Sequence, residues 1–272
     1  MDTDTREYAL DNASNTAARM LACLTTVLDP YTQDLLAPLI PDGGRCLELG
    51  AGNGSIACWM AERAGPHGNV VAVDRDPRHV RDHPAVSILT ADVTAPDGLP
   101  GCDYDLIHAR LLLAHLPQRG ELMHRLASRL APGGHLVVEE WGQFAPPGTA
   151  QVLWHPEDSG LPDLYRDYQQ ALLELFRRAG NDTTWCARAA SAMRVAGLVD
   201  VRTSTYARSW AGGTAGTMLP CCVSAEKEAE LAAAGMPVAD QRRMRELLAD
   251  PQTLLLGNPI WSTVGRRPGG AR

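Results

Sequence analysis

The chain has 272 residues, 45% of them apolar and 21% charged, with a formal net charge of −7. That length suits one large α/β domain with appendages better than two independent domains, and the acidic balance gives no basic footprint for nucleic acid. No apolar run approaches roughly 18 residues, the length that would cross a membrane, and the seven cysteines show neither C-x-x-C spacing nor a matching histidine pattern, so neither a zinc site nor a disulfide scaffold is expected. The polar, acidic segment Met1 to Arg6 lacks a signal peptide's apolar run, which makes the cytoplasm the expected compartment.

Residues 13–28 read as a helix, with Met20, Leu21, Leu24 and Leu28 at helical spacing, and Asp29-Pro30 is expected to end it. A second short helix is expected over 31–40. From Arg45 the pattern changes. Cys46–Leu49 is an apolar strand, Gly50-Ala51-Gly52-Asn53-Gly54 follows, and Ser55–Ala64 is a helix. Asn69–Asp74, Val86–Leu89 and Tyr104–His108 read as further strands. A helix over 118–130 stops at Ala131-Pro132-Gly133-Gly134, before a fifth strand over His135–Glu140. This alternation implies βαβ units and a parallel sheet covered on both faces.

After Trp141 the alternation lapses. Residues 146–162 look like loop, 163–179 and 184–196 like helices, and 224–249 like another helical stretch. Strand signals return at Val199–Thr205 and Thr253–Gly265, and 266–272 reads as a frayed tail. The expected organisation is a single domain over 1–272. It comprises an N-terminal helical lid (1–44), a binding core (45–145), a variable helical cap over the substrate (146–198) and C-terminal elements that complete the sheet (199–272).

The informative segment is Glu48-Leu49-Gly50-Ala51-Gly52-Asn53-Gly54. It leaves a strand and opens a helix, where glycines let the backbone approach a ligand and the helix end offers free N–H groups. A dinucleotide fingerprint wants G-x-G-x-x-G, but Ser55 stands in its third glycine position. The pattern G-x-G-x-G, with Glu48 two residues upstream, resembles motif I of the class I S-adenosylmethionine (SAM)-dependent methyltransferases. Further matches follow in order. Asp74 ends the second strand, Asp92 follows the third in Thr90-Ala91-Asp92-Val93, and Asp103–Arg110 and Arg129–Gly134 resemble the fourth- and fifth-strand motifs.

The resemblance covers residues 45–140 closely and the final strand loosely. It implies a Rossmann-like doubly wound sheet of seven strands with the last antiparallel, carrying helical lid elements. SAM is the implied cofactor and S-adenosylhomocysteine the product. Glu48 would lie near the methionine amino group, Asp74 would take the ribose hydroxyls and Asp92 the adenine amino group, with Gly50, Gly52, Asn53, Arg75, Val93, His108 and Arg110 around them. The N-terminal stretch is similar to the lid of a bacterial branch of the family, and Tyr8, Arg19 and Tyr31 are its cofactor-facing candidates.

Methyl transfer from a sulfonium is an in-line displacement in which the protein aligns the partners and excludes water. A base is needed only when the acceptor keeps its proton. His115, just beyond the fourth strand, is the candidate base, although a capping or packing histidine fits that position equally simply. Trp141, His155, Tyr165 and Tyr168 are candidate substrate contacts, each also readable as packing or surface. His108-Ala109-Arg110 stands where metal-dependent relatives carry acids, so no metal is expected. The expected partner is a small-molecule methyl acceptor of the specialised, natural-product kind, with no nucleic acid and no membrane. The lid helices offer a surface for a homodimer that nothing in the sequence fixes. Competing readings are a SAM-binding enzyme of the same fold catalysing a non-methylating reaction such as cyclisation, an NAD(P)-dependent oxidoreductase, and a non-catalytic SAM-binding partner protein.

Overall fold

The computed structural model describes residues 16–142, 151–157 and 159–269. In chain order the elements are α1 (Ala17–Leu36), β1 (Arg45–Leu49), α2 (Ser55–Ala64), β2 (Asn69–Asp74), β3 (Val86–Thr90), β4 (Tyr104–Arg110), α3 (Arg119–Arg129), β5 (Leu130–Trp141), β6 (Val152–Trp154), α4 (Leu161–Arg178), α5 (Trp185–Val195), β7 (Val199–Tyr206), β8 (Ser209–Ala211), α6 (Ala215–Glu226), α7 (Glu228–Ala233), α8 (Val238–Ala249), β9 (Leu254–Leu256) and β10 (Ile260–Arg266). They group into two compact units. One comprises Asp29–Gly142, Thr184–Tyr206 and Ile260–Arg272, the other Met1–Leu28, Gln143–Thr183 and Ala207–Pro259.

The first unit carries a seven-stranded sheet in the order β3-β2-β1-β4-β5-β10-β7. All neighbours pair in parallel except β10, which is antiparallel to both β5 and β7. Successive strand residues point to opposite faces, so each apolar strand feeds two cores. Leu47, Leu49, Ile107, Leu136 and Val138 pack with Leu122, Met123 and Leu126 of α3 and with Trp185 and Met193 of α5. On the other face Cys46, Val70, Ala72, Leu106, Val137 and Val264 pack with Ile56, Ala57 and Met60 of α2. Burial on both faces explains why these strands read as continuous apolar runs rather than alternating ones.

The second unit is mainly helical. Its core joins Leu161, Tyr165, Tyr168 and Leu172 of α4 to Cys221, Cys222 and Val223 of α6, Leu231 of α7 and Met244 and Leu248 of α8. A small antiparallel sheet in the order β6-β9-β8 belongs to it.

Several boundaries differ from the sequence expectation for physical reasons. The expected stop at Asp29-Pro30 is absent, and α1 runs on to Leu36. A proline inside a helix removes one N–H and usually kinks or breaks it. Here the turn that contains Pro30 is held from outside, because Asp29 and Thr32 both bond Arg110. The Ala131–Gly134 breaker lies inside β5, where Gly133 N–H donates to the Arg267 carbonyl and Arg267 N–H donates to Gly134. The expected strand over 253–265 is two strands, β9 and β10, split at Gly257-Asn258-Pro259, and the stretch 224–249 is divided among α6, α7 and α8. Among the described residues no helix is long and apolar enough to cross a membrane.

Candidate cofactor and active site

The glycine bend follows β1 directly. Gly50, Gly52 and Gly54 all have positive φ, at 67°, 58° and 76°, a region that residues with a Cβ enter only at a cost. At Gly54 space is also lacking, since a Cβ there would lie 2.8 Å from Val80 Cγ1. The bend is tied to the end of β2. Gly50 N–H donates to the Val73 carbonyl at 2.8 Å, and Gly52 N–H to Asp74 Oδ2 at 3.0 Å. The other oxygen of Asp74 accepts Asp76 N–H at 2.9 Å. Asn53 Oδ1 accepts Ser55 N–H at 3.1 Å, which satisfies one of the open amides at the start of α2. Asp74 therefore sets the shape of the bend as well as lying beside it. Arg75, next along, is exposed.

Asp92 follows the adjacent strand, β3. Its Oδ1 accepts both the amide of Thr94 (2.8 Å) and its hydroxyl (2.7 Å). Partial burial alone would raise this carboxyl, but those two bonds and the nearby Arg75 hold it below its usual value. Val93 is buried in the first core.

Behind the bend lies a buried polar network. Glu48 and His108 are register partners on β1 and β4. His108 is fully buried, with Nδ1 at 2.7 Å from Glu48 Oε2 and Nε2 at 3.1 Å from Glu139 Oε2. Glu139 also accepts the hydroxyls of Thr32 at 2.6 Å and Ser262 at 2.5 Å. Arg110 completes the set, bonding Thr32 at 2.9 Å and Asp29 at 2.8 Å. Burial alone would push the imidazole down, but the two carboxylates outweigh it and raise His108 to about 9. It is an imidazolium at neutral pH, donating from both nitrogens.

That charge state makes stability pH-dependent with a defined sign. Folded His108 stays charged to about pH 9, against 6.5 for the unfolded chain, so its contribution is complete below about pH 6.5 and is lost as the pH rises through 9. Glu140, which burial pushes up to about 7 from 4.5, acts in a lower window. Urea-unfolding free energies should therefore fall between pH 7 and 9 in the native protein, and this slope should flatten in His108→Gln. An equal slope in both would remove the imidazolium from the account.

Beyond β4 the chain turns sharply through Leu111, at φ 55°. The turn is held from both polarities. Buried Glu140 accepts Ala114 N–H at 3.1 Å, while Arg119 donates to the carbonyls of Leu113 (3.1 Å) and Ala114 (3.2 Å). Leu112 of this turn faces the bend, since a Cβ on Gly50 would lie 3.3 Å from its Cδ1. His115 ends the turn, half-buried.

The structure thus brings together Glu48, Gly50, Gly52, Asn53, Asp74, Asp92, Val93 and His115 around the carboxyl ends of β1, β2, β3 and β4, where doubly wound sheets take their ligands. Other expected residues fall elsewhere. The ring of Tyr31 stacks on Tyr206 of β7 at 4.5 Å and its hydroxyl meets Ser204 at 2.9 Å. Arg110 donates to Thr32 and Asp29, and His108 lies between Glu48 and Glu139, so both make contacts within the protein. Arg19 is exposed on α1, and Tyr8 lies outside the described residues.

Among the substrate candidates, Trp141 is half-buried at the end of β5. Tyr165 and Tyr168 are buried against each other in the core of the second unit. His155 Nδ1 lies 2.8 Å from the Pro156 carbonyl and 2.7 Å from the Ser159 hydroxyl, closing a local turn. Sequence reading missed Asp29, Thr32, Glu139 and Ser262 as parts of the network around His108 and Arg110, and Glu140 and Arg119 as the groups that hold the turn after β4. The one signal available was the pair Glu139-Glu140 ending an otherwise apolar strand. Among the described residues no group of three or more His, Cys, Asp or Glu side chains is arranged to hold a metal ion.

The chemistry of this set is that of an acceptor. Asp74 and Asp92 carry carboxylate oxygens beside the bend, which suits a ligand rich in hydroxyl and amino groups, as SAM is, better than a pyrophosphate, while Glu48 is buried against His108. The decisive comparison is with protein families: the profile described as "Methyltransferase domain" matches residues 23–184, more than half of the chain. The chain belongs to the methyltransferase domain family. Its strand order and reversed β10 are those of the class I SAM-dependent members.

Relatives of this chain include methyltransferase str3 of Strobilurus tenacellus, 33% identical over 97 residues that make up 35% of each chain. The ribosomal protein L11 methyltransferase of Bordetella parapertussis is 37% identical over 102 residues, 36% of this chain and 32% of that one. The chain thus matches only about a third of the length of these relatives. Phosphoethanolamine N-methyltransferase 2 of Haemonchus contortus, solved with phosphomonomethylethanolamine and S-adenosylhomocysteine, superposes with a TM-score of 0.55 at 15% identity, covering 97% of this chain and 60% of that one. That likeness speaks for the fold.

Proposed function

We propose that this chain transfers the methyl group of SAM to a small-molecule acceptor. The observation that carries the reading is the placement of Asp74 and Asp92 at the ends of neighbouring strands beside a three-glycine bend, in a chain of the methyltransferase family. SAM supplies an electrophilic methyl on a sulfonium. Asp74 would accept the ribose hydroxyls through the lone pairs that Gly52 and Asp76 leave, and Asp92 would accept the adenine amino group through its second oxygen. Glu48, held by His108 through one of its oxygens, would lie on the side of the amino-acid end. Where the acceptor carries a proton, His115 takes it as the neutral imidazole, an effect of about 10²–10⁴ in rate for a well-placed base. The formal net charge of −7 favours a small acceptor over nucleic acid.

A protein acceptor is the second reading, favoured by the likeness to a methyltransferase named for ribosomal protein L11. Supplying methyl-labelled SAM with the small-molecule and the macromolecular fractions of a cell extract separates the two. Label transferred to a small molecule supports the proposal, and label on a polypeptide supports the second reading. Bound SAM with no transfer to either fraction would overturn methyl transfer itself.

A further inference from the structure

We propose that Arg125 on α3 is a positioning residue that sets the cofactor site's preference for adenine. The inference rests on the reading that Asp92 meets the adenine amino group. The guanidinium of Arg125 donates to four consecutive carbonyls: Nη1 to Val93 (3.2 Å) and Thr94 (3.1 Å), Nη2 to Ala95 (2.6 Å) and Pro96 (3.3 Å). These four residues form the turn that starts at Asp92, whose own carbonyl accepts Ala95 N–H at 3.0 Å. Four carbonyls aimed at one point repel each other, and a cation at their focus removes that penalty.

The turn has no slack on its other side. A Cβ on Gly98 would lie 1.8 Å from the Asp92 carbonyl oxygen, so the chain doubles back in backbone contact. Within the turn Thr94 fixes Oδ1 of Asp92 through its amide and hydroxyl, which leaves Oδ2 as the oxygen offered outward. Arg125 therefore controls the direction of Asp92 without touching the ligand. Lysine, a point charge without the planar fork, reproduces the charge but not all four bonds.

The test compares the Kd of S-adenosylhomocysteine with that of its hypoxanthine analogue, in which a carbonyl oxygen replaces the 6-amino group, for the native protein, Arg125→Ala and Arg125→Lys. The native protein should prefer the adenine compound by about tenfold or more, the scale of one good hydrogen bond to a charged acceptor. Arg125→Ala should lose about tenfold for the adenine compound and little for the analogue, so the preference collapses. Arg125→Lys should recover part of it and also serves if the alanine variant does not fold. Equal weakening of both ligands would make Arg125 a general brace and overturn the proposal, as would no weakening of either. A native protein that binds both ligands alike overturns the adenine role of Asp92 and the proposal with it.

Discussion

Glu139→Ala is expected to cost about 3–5 kcal/mol of folding stability, the range for breaking a buried ion pair by removing one partner. The carboxylate is fully buried and receives three bonds, from His108, Thr32 and Ser262. Its removal leaves a buried imidazolium with Glu48 as its remaining carboxylate partner and strips two buried hydroxyls of an acceptor. Against a typical total of about 5–15 kcal/mol, that loss is large. Glu139→Gln keeps the volume and one acceptor oxygen but turns an amide N–H toward donors, so an intermediate loss is expected and the variant serves where alanine does not fold. Urea unfolding near pH 7 measures both. A loss under about 1 kcal/mol for the alanine variant, the size of a surface pair, would mean that the network carries no buried charge.

The second large effect concerns the cofactor. Asp74→Ala should weaken SAM binding by about 1–3 kcal/mol, roughly ten- to a hundredfold, the scale of lost hydrogen bonds to a charged group. Two causes add. On the proposed reading the ribose hydroxyls lose their acceptor, and the bend loses the bond from Gly52 N–H that ties it to β2. Asp74→Asn retains one carbonyl oxygen and separates them, because it can still accept Gly52 N–H while offering less to the ribose. Asn should fall between native and Ala in affinity, while the stability of the Asn variant stays near native.

What the sequence showed and what it hid divide along the range of the forces involved. The run from Arg45 to Glu140 was legible because strands buried on both faces are apolar runs, and because Gly50–Gly54 and Ala131–Gly134 punctuate them. The placement of Asp74 and Asp92 followed from strand ends alone. The continuity of α1 through Pro30 was not legible, since it depends on Arg110, some eighty residues away in sequence. The stacking of Tyr31 on Tyr206, 175 positions on, was not legible either, because nothing local points to that partner. The imidazolium at His108 needs carboxylates from two other strands, visible only once β1, β4 and β5 lie side by side. Strands as short as β6 and β8, three residues each, carry too little pattern to register. Arg125 was invisible for a different reason: its partners are backbone carbonyls, which leave no trace in residue identity.

The most direct test is a calorimetric titration of the native protein and Asp74→Ala with S-adenosylhomocysteine, with NADPH as the control ligand. Saturable binding of one equivalent by the native protein, weakened roughly ten- to a hundredfold in the variant and absent for NADPH, is the expected result. Binding of NADPH alone, or equal affinity for S-adenosylhomocysteine in both proteins, would contradict the assignment of the glycine bend and Asp74 to a sulfonium nucleoside.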